Sequence, residues 1–259
     1  MRVAIYQIDA FTNEQFKGNP AAVCPLKEWI NDNLMQSIAA ENNLSETAFF
    51  IKRDDEYELR WFTPKGEVDL CGHATLASAY VIFTYLDKRI TRAIFQTKSG
   101  RLEVSKEGSN LAMIFPSREG KSCNAPELLI KGLRKRPKEV YLSRDYMAVF
   151  KTEEEIRNLT LDMEALKQLD GLGTIVTARG EGVDFVSRFF APKLGVDEDP
   201  VTGSSHCTLI PYWKRVLGKN EFVALQLSKR GGKIFCTDLG EKVKISGEAV
   251  TYLVGHINI

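Results

Sequence analysis

The feature of this sequence that most constrains its fold is an internal repeat. The first copy, RWFTPKGEVDLCGHATLASAY, begins at Arg60, and the second, RFFAPKLGVDEDPVTGSSHCTLIPYW, begins at Arg188. In each copy an arginine and two aromatic residues precede a Pro-Lys pair, a glycine, a Val-Asp pair and a second glycine that opens an apolar segment. Such repetition indicates a duplicated architecture. The alternative is that two strand–loop–helix segments share these residues by coincidence.

Apolar patterning around the repeat predicts a mixed α/β chain. Short alternating or apolar runs predict strands at Val3–Phe11, Ser45–Ile51, Tyr57–Phe62, Asp184–Phe190 and on both sides of Gly247. Helical spacing predicts helices at Asn31–Asn43, Ala74–Leu86, 151–170 and Ser205–Leu217. The second and fourth helices are apolar nearly all round, which is typical of helices enclosed by other elements.

If the repeat is a duplication, the chain consists of two α/β halves that each wrap strands around one buried helix. We predict an N-terminal half over residues 1–118 with its central helix at 72–86. The C-terminal half is predicted over residues 119–259 with its central helix at 203–217, and the last strands are allowed to cross back to the first half. A cleft between such halves is a natural place for a ligand.

Composition excludes several classes of partner. The chain has 35 Lys plus Arg and 34 Asp plus Glu, a net charge of +1, so we expect neither nucleic acid nor a membrane surface as a partner. We find no apolar run of membrane-spanning length and no apolar N-terminal signal segment. The five cysteines form no C-x-x-C pair, which favours a reducing compartment. We therefore expect a cytoplasmic protein.

The two glycines that open the apolar helices are candidates for ligand binding. Helix N-termini carry free N–H groups and partial positive charge, which favour carboxylates. Gly72 and Gly203 have no side chain to keep a ligand away from the backbone. Tight packing would explain either glycine alone, but the repeated pair favours a ligand. His73 follows Gly72, and the helix dipole there predicts a neutral imidazole, although a capping or packed histidine fits equally.

Further polar residues lie near these helix starts or close to an apolar strand. Asp199 precedes Pro200 and is therefore extended, and Ser204 lies at the start of the second helix; both could instead be helix caps. Glu46 lies between a helix and an apolar strand, where desolvation favours the protonated carboxyl group and suits acid/base chemistry. A solvated turn glutamate fits the spacing equally well. The three histidines lack metal-site spacing, so we expect no metal.

Six segments together resemble the PhzF-like (phenazine biosynthesis-like) family. They are AFTNEQFKGNPAAV, NLSETAFF, RWFTPKGEVDLCGHATLASA, DPVTGSSH, LQLSKRGG and ISGEAVTYLVG, and they extend over nearly the whole chain. The resemblance implies a diaminopimelate-epimerase-like fold, in which each half is a highly curved, mostly antiparallel sheet around a central helix. It also implies an active site in the cleft, no cofactor, and a homodimer.

The resemblance implies roles for individual residues as well. The family's proton-shuttling glutamate falls on Glu46, and its active-site histidine, aspartate and serine fall on His73, Asp199 and Ser204. The remaining positions expected to contact the substrate are Gly72, Gly203, Cys71 and Asn19.

Cys71 complicates this assignment. Related epimerases and racemases use two opposed cysteines, and Cys71 occupies the position of the first. The second copy has Asp199 instead, and Cys207 lies a turn inside the second helix, where packing is expected. We therefore interpret Cys71 as a neighbour of the pocket.

These observations predict a cofactor-independent isomerase that relocates a proton within a small carboxylated metabolite. Glu46 would remove the proton and return it to another position on the same face. An epimerase or racemase of an amino-acid-like acid, with Cys71 or Glu46 facing Asp199, is the alternative enzyme. A non-catalytic binding protein with the same fold is the other alternative.

Overall fold

Strands make up most of the regular structure, as the short apolar and alternating segments predict. The computed structural model describes residues 1–259. Its strands are β1 Arg2–Ala10, β2 Asn19–Leu26, β3 Glu46–Arg53, β4 Glu56–Phe62, β5 Glu67–Val68, β6 Arg92–Thr97, β7 Gly100–Glu107, β8 Asn110–Pro116, β9 Lys121–Ser122, β10 Glu139–Leu142, β11 Tyr146–Val149, β12 Thr174–Arg179, β13 Phe185–Ala191, β14 Val196–Asp199, β15 Glu221–Gln226, β16 Gly232–Asp238, β17 Lys242–Gly247 and β18 Ala249–Asn258.

The helices are fewer, and two of them are deeply buried. The α-helices are α1 Asp32–Asn42, α2 Gly72–Val81, α3 Glu127–Leu133, α4 Glu153–Arg157, α5 Met163–Lys167 and α6 His206–Leu217. Helix α2 continues as a π-helix over Ile82–Leu86, and a 3₁₀ turn over Gly203–Ser205 precedes α6. None of the helices combines the length and apolarity needed to span a bilayer.

Contacts divide the chain into two units. Unit 1 comprises Met1–Ile114 and Ser246–Ile259, and unit 2 comprises Phe115–Ile245. The first division comes earlier than the predicted boundary after residue 118. The chain returns to unit 1 for its last strand.

In unit 1 the paired strands follow the order β18-β1-β2-β3-β4-β6-β7-β8, and β5 pairs with β4. The β2–β3 and β4–β6 pairs are parallel and the others are antiparallel. Helix α2 packs against β1, β2 and β3. Eight of its ten residues are buried, so it is the central helix of this unit, as the apolar pattern predicts.

In unit 2 the order is β9-β10-β11-β12-β13-β15-β16, and β14 pairs with β13. The parallel pairs are β11–β12 and β13–β15. This unit therefore repeats the succession of parallel and antiparallel pairs found in unit 1. The mostly antiparallel, duplicated α/β fold predicted from the sequence is confirmed.

The two copies of the repeat also make equivalent contacts. Arg60 on β4 pairs with Glu67 on β5 at 2.7 Å, and Arg188 on β13 pairs with Glu198 on β14 at 2.7 Å. Each guanidinium also lies over the second aromatic ring of its motif, at 5.2 and 5.0 Å from the ring centre. The repeated arginine thus joins the paired strands that lead to each central helix.

The predicted single helix over 151–170 is wrong, because the segment contains two helix starts. Thr152 caps α4 in a capping box with Glu155. The side chain of Asp162 accepts a hydrogen bond from the Ala165 N–H at 3.0 Å and begins α5. A side-chain cap favours a new helix start over a continuous helix.

Candidate active site

Unit 1 brings two of the predicted catalytic residues into contact. Glu46 is the first residue of β3, and its side chain is 18% exposed. His73 lies in the first turn of α2 and is buried. The Glu46 Oε2 and His73 Nε2 atoms are 3.1 Å apart. The start of an apolar strand and the start of the central helix therefore place a carboxylate beside an imidazole.

Cys71 contacts the other side of the same imidazole ring. It directly precedes α2 in an extended conformation, and its Sγ lies 3.5 Å from His73 Nδ1. Ligand atoms of Glu46, Cys71 and His73 all lie within 4.8 Å of one another, and their donor types suit a zinc ion. The thiol and the carboxylate, however, face different ring nitrogens. This arrangement suits proton sharing along a chain of three groups.

Burial and charge set the protonation of these groups. Burial raises the pKa of the Cys71 thiol to about 11, and the nearby Glu46 carboxylate adds to the rise. The thiol is therefore protonated at neutral pH. Burial alone would lower the pKa of His73, but Cys71 and Glu46, through charge and hydrogen bonds, outweigh burial and raise this pKa well above its usual value. The helix dipole favours the neutral ring, whereas the neighbouring groups favour the protonated ring. At neutral pH the Glu46 carboxylate is the main neighbour with this effect.

The contact between Glu46 and His73 is close but poorly directed. Neither Oε2 of Glu46 nor Nε2 of His73 makes a well-directed hydrogen bond, although both atoms are buried. Buried polar atoms without good partners are uncommon in proteins and call for an explanation such as a catalytic role or an ordered water.

Asn19 and Gly72 lie on the elements that carry this pair. Asn19 is fully buried at the start of β2, the strand whose Ala21 lies beside Glu46. Gly18 before it has φ +65° and an added Cβ would lie 2.2 Å from a backbone oxygen, so the turn into β2 requires glycine. Gly72 begins α2 and is partly exposed.

In unit 2 the side chains of Gln226 and Ser228 hold the DPVTGS loop, residues 199–204. The Thr202 hydroxyl donates to Asp199 Oδ2 at 2.5 Å. The buried Gln226 amide donates to the Asp199 carbonyl at 2.7 Å and accepts from the Thr202 N–H at 2.8 Å. The Ser228 hydroxyl donates to the Pro200 carbonyl at 2.8 Å. These bonds fix the backbone on both sides of Pro200, so the loop carrying Asp199 is anchored to the strand β15 and the turn after it.

Gly203 and Ser204 lie in the 3₁₀ turn that precedes α6, so the predicted helix over 203–217 begins as a 3₁₀ turn. Gly203 is buried and Ser204 is partly exposed. The Ser204 hydroxyl accepts a hydrogen bond from Arg144 at 3.2 Å. Cys207 is buried, as expected, and burial raises its thiol pKa to about 11. Arg144 and the positioning role of Gln226 were missed by the sequence reasoning.

Both central helices begin without a side-chain cap. Neither Cys71 before α2 nor Ser205 before α6 makes a capping hydrogen bond, and Thr202 does not cap the 3₁₀ turn. In contrast, three of the four other α-helices are capped, by Asn31, Thr152 and Asp162. The N-cap positions are thus Cys71, Thr202 and Ser205, and neither Asp199 nor Ser204 occupies one. Uncapped first-turn N–H groups are the kind of donor that binds anions.

Comparison with known proteins places this architecture in a family. The sequence profile of the phenazine biosynthesis-like protein family matches residues 8–255. The chain belongs to this family. A Pseudomonas aeruginosa relative described as an uncharacterised isomerase is 49% identical over 259 residues, with 100% of each chain covered. The human phenazine biosynthesis-like domain-containing protein is 36% identical over 284 residues, covering 98% of this chain and 99% of its own.

Solved structures agree with the assignment to the phenazine biosynthesis-like family. A PhzF-family protein of Enterococcus faecalis has a TM-score of 0.98 at 45% identity, with 100% of both chains covered. A hydroxyproline epimerase of Agrobacterium vitis shares the fold alone, with a TM-score of 0.63 at 8% identity over 99% of this chain and 92% of its own. The family prediction is confirmed. The isomerase names of its relatives support an isomerase-type function.

Proposed function

We propose that this protein is a cofactor-independent isomerase that relocates a proton within a small carboxylated metabolite, with Glu46 as the acid/base. The observation that carries the proposal is the 3.1 Å approach of the Glu46 carboxylate to the His73 imidazole. A carboxylate beside an imidazole can accept a proton, hold it while the substrate rearranges, and return it. One such base suits transfer between two positions on one face of a substrate.

His73 would support this transfer electrostatically. Its pKa lies well above the usual value because Cys71 and Glu46, through charge and hydrogen bonds, outweigh burial. A positively charged ring stabilises the ionised form of Glu46 before the proton is taken. After the transfer, the same ring is placed to hydrogen-bond the neutral carboxyl group or a substrate oxygen.

Cys71 is proposed to be a neighbour of the pocket and not its base. The thiolate is the reactive form of cysteine, and burial raises the pKa of this thiol to about 11. The 3.5 Å contact with His73 Nδ1 gives the thiol a role in orienting the ring.

In unit 2, Asp199 and Ser204 are proposed to hold polar groups of the substrate. Asp199 lies in a loop whose backbone Gln226 fixes, which keeps a carboxylate in a defined position. The backbone N–H groups at Gly72 and those at Gly203 are each proposed to bind a polar or anionic group of the substrate, since both central helices begin without side-chain caps.

An epimerase or racemase is the second candidate, and the Cys71–His73 contact favours it. Cys71 occupies the position where related enzymes carry a catalytic thiol, and an imidazole beside a thiol can assist its ionisation. Inversion at one carbon would need a second acid/base on the opposite face, for which Asp199 is the candidate.

The proposal is tested by finding what the protein binds and what it produces. A panel of small carboxylic acids, with the matching amides as controls, is screened for a rise in melting temperature, because a ligand of the native state stabilises it. Each hit is then incubated with the protein and examined by NMR. We expect a product with a relocated proton. Inversion at one carbon with unchanged connectivity would replace this proposal by the epimerase.

We also propose that the protein is a cytoplasmic homodimer without a nucleic-acid partner. The family resemblance supports the dimer, and the net charge of +1 supports the absence of a nucleic-acid partner. Light scattering on the purified chain measures the assembly state directly.

A further inference from the structure

Arg144 is an arginine that a buried carboxylate holds in one orientation. It lies in the turn between β10 and β11, where its carbonyl accepts a hydrogen bond from the Leu172 N–H. Its Nε and Nη2 atoms donate to Asp145 Oδ2 at 3.0 and 2.6 Å. Asp145 is 2% exposed. One edge of the planar guanidinium is therefore occupied and fixed.

The opposite end of the same guanidinium is available. The group has five N–H donors, of which two donate to Asp145 and a third donates from Nη2 to the Ser204 hydroxyl at 3.2 Å. The two donors on Nη1 make no hydrogen bond within the protein. Because the Arg144 side chain is 32% exposed, these donors can be reached from outside.

Because the Ser204 hydroxyl accepts a hydrogen bond from Arg144, its own hydrogen can be donated to another group. A serine hydroxyl has one donor and two acceptor positions. Since Arg144 occupies an acceptor position, the hydroxyl hydrogen remains free to bind something else. The turn is also pinned to α6, because the Ser143 and Thr208 hydroxyls are 3.2 Å apart. The relative positions of Arg144 and Ser204 are thus fixed by bonds on both sides.

The free N–H and O–H groups of this cluster are hydrogen-bond donors, and the second carboxylate oxygen of Asp145, Oδ1, is buried without a partner. Nη1 of Arg144 offers two N–H groups, Ser204 offers an O–H group, and the start of α6 has no side-chain cap. Arg118 adds a positive charge nearby, and its N–H donates to the Cys207 carbonyl on the same helix at 2.8 Å. An arginine that served only to pair with Asp145 would need neither the hydrogen bond to Ser204 nor two unpaired N–H groups on Nη1.

We infer that Arg144 and Ser204 form a carboxylate-binding subsite, in which Arg144 determines specificity for an acidic substrate and Asp145 positions it. This inference rests on the proposed function, because the carboxylate that Arg144 and Ser204 would hold is that of the isomerase substrate. Planar guanidinium groups bind carboxylates through paired N–H groups, which the compact ammonium of lysine cannot reproduce.

The test measures binding of benzoate, with uncharged benzamide as the control ligand. Arg144→Gln alone would leave the buried Asp145 without a partner and could unfold the unit. The informative variants are therefore Arg144→Lys, which keeps the charge, and the double variant Arg144→Gln/Asp145→Asn, which removes both charges together. Arg179→Gln removes an exposed arginine of the same unit and shows whether loss of a positive charge elsewhere in the unit weakens binding.

We expect benzoate, but not benzamide, to raise the melting temperature of the wild type and of Arg179→Gln. Affinity should fall about 10–100-fold in the double variant, as expected for loss of a charged hydrogen-bond anchor, and by less in Arg144→Lys. The inference is overturned if the folded double variant binds benzoate as the wild type does, or if the wild type does not bind benzoate at millimolar concentrations.

Glu46→Gln separates this inference from the proposed function. The variant should bind benzoate normally, because the subsite lies in unit 2. If Glu46→Gln keeps catalytic activity while the double variant loses benzoate binding, the proposed acid/base is wrong and the Arg144 subsite stands. If Glu46→Gln is inactive while the double variant binds benzoate normally, the subsite is wrong and the proposed base stands.

Discussion

Replacement of Gln226 by alanine is expected to release the loop that carries Asp199. The Gln226 side chain is 1% exposed and bonds the Asp199 carbonyl at 2.7 Å, the Thr202 N–H at 2.8 Å and the Thr202 hydroxyl at 3.2 Å. Alanine removes all three bonds and leaves the Thr202 N–H without the acceptor that Gln226 supplies.

The magnitude follows from the unpaired Thr202 N–H and from loss of the bond to the Asp199 carbonyl. Each buried donor or acceptor left unpaired costs ~1–3 kcal/mol, and entry of a water into the new space would recover part of this. We therefore expect the free energy of unfolding to fall by about 2–4 kcal/mol. The Thr202 amide, which loses its acceptor, should exchange with solvent at least about tenfold faster for every 1.4 kcal/mol of local stability lost.

Two measurements check this expectation. Urea unfolding reports the global change, and amide hydrogen exchange at Thr202 reports the loop itself. Gln168→Ala is the matched control, because that glutamine is exposed and donates only to a carbonyl of its own helix at 3.0 Å. It should cost less than about 0.5 kcal/mol. A Gln226→Ala variant as stable as this control, with normal protection at Thr202, would refute the positioning role.

Two further predictions concern buried titratable groups. Burial lowers the pKa of His206 to about 4, whereas the unfolded chain takes up this proton near pH ~6.5; stability is therefore lost as pH falls through this range. Between pH 7 and 4, urea unfolding should show a loss about 3 kcal/mol larger for the wild type than for His206→Gln, and equal losses would contradict the assignment. Because burial raises the pKa of the Cys71 thiol to about 11, iodoacetamide at neutral pH should modify the partly exposed Cys123 before Cys71; mass spectrometry showing the reverse order would indicate an activated Cys71.

The sequence was informative where function depends on local pattern. The repeat at Arg60 and Arg188 predicted the duplicated topology because equivalent residues make equivalent contacts in each unit. The central helices were predicted because their apolar residues extend all round the helix. The family resemblance put Glu46 and His73 in one site. Their contact could not be derived from spacing, since it depends on where β3 begins relative to α2.

The sequence was uninformative where a residue acts on a distant partner. Arg144 and Ser204 are 60 residues apart, and Gln226 and Thr202 are 24 apart, so no local pattern joins either pair. The raised pKa of His73 could not be predicted for the same reason. The helix dipole is a local property, whereas the carboxylate of Glu46 reaches the ring only through the tertiary fold.

The most direct test of the central claim compares Glu46→Gln and Cys71→Ala with the wild type on a substrate identified in the carboxylic-acid screen. The reaction is followed by NMR in D₂O, which records both deuterium incorporation and any relocated proton. Loss of a positioned general base costs ~10²–10⁴-fold in rate. The account predicts such a loss for Glu46→Gln and retention of most activity in Cys71→Ala. Full activity in Glu46→Gln together with an inactive Cys71→Ala would contradict it and establish thiol-based chemistry instead.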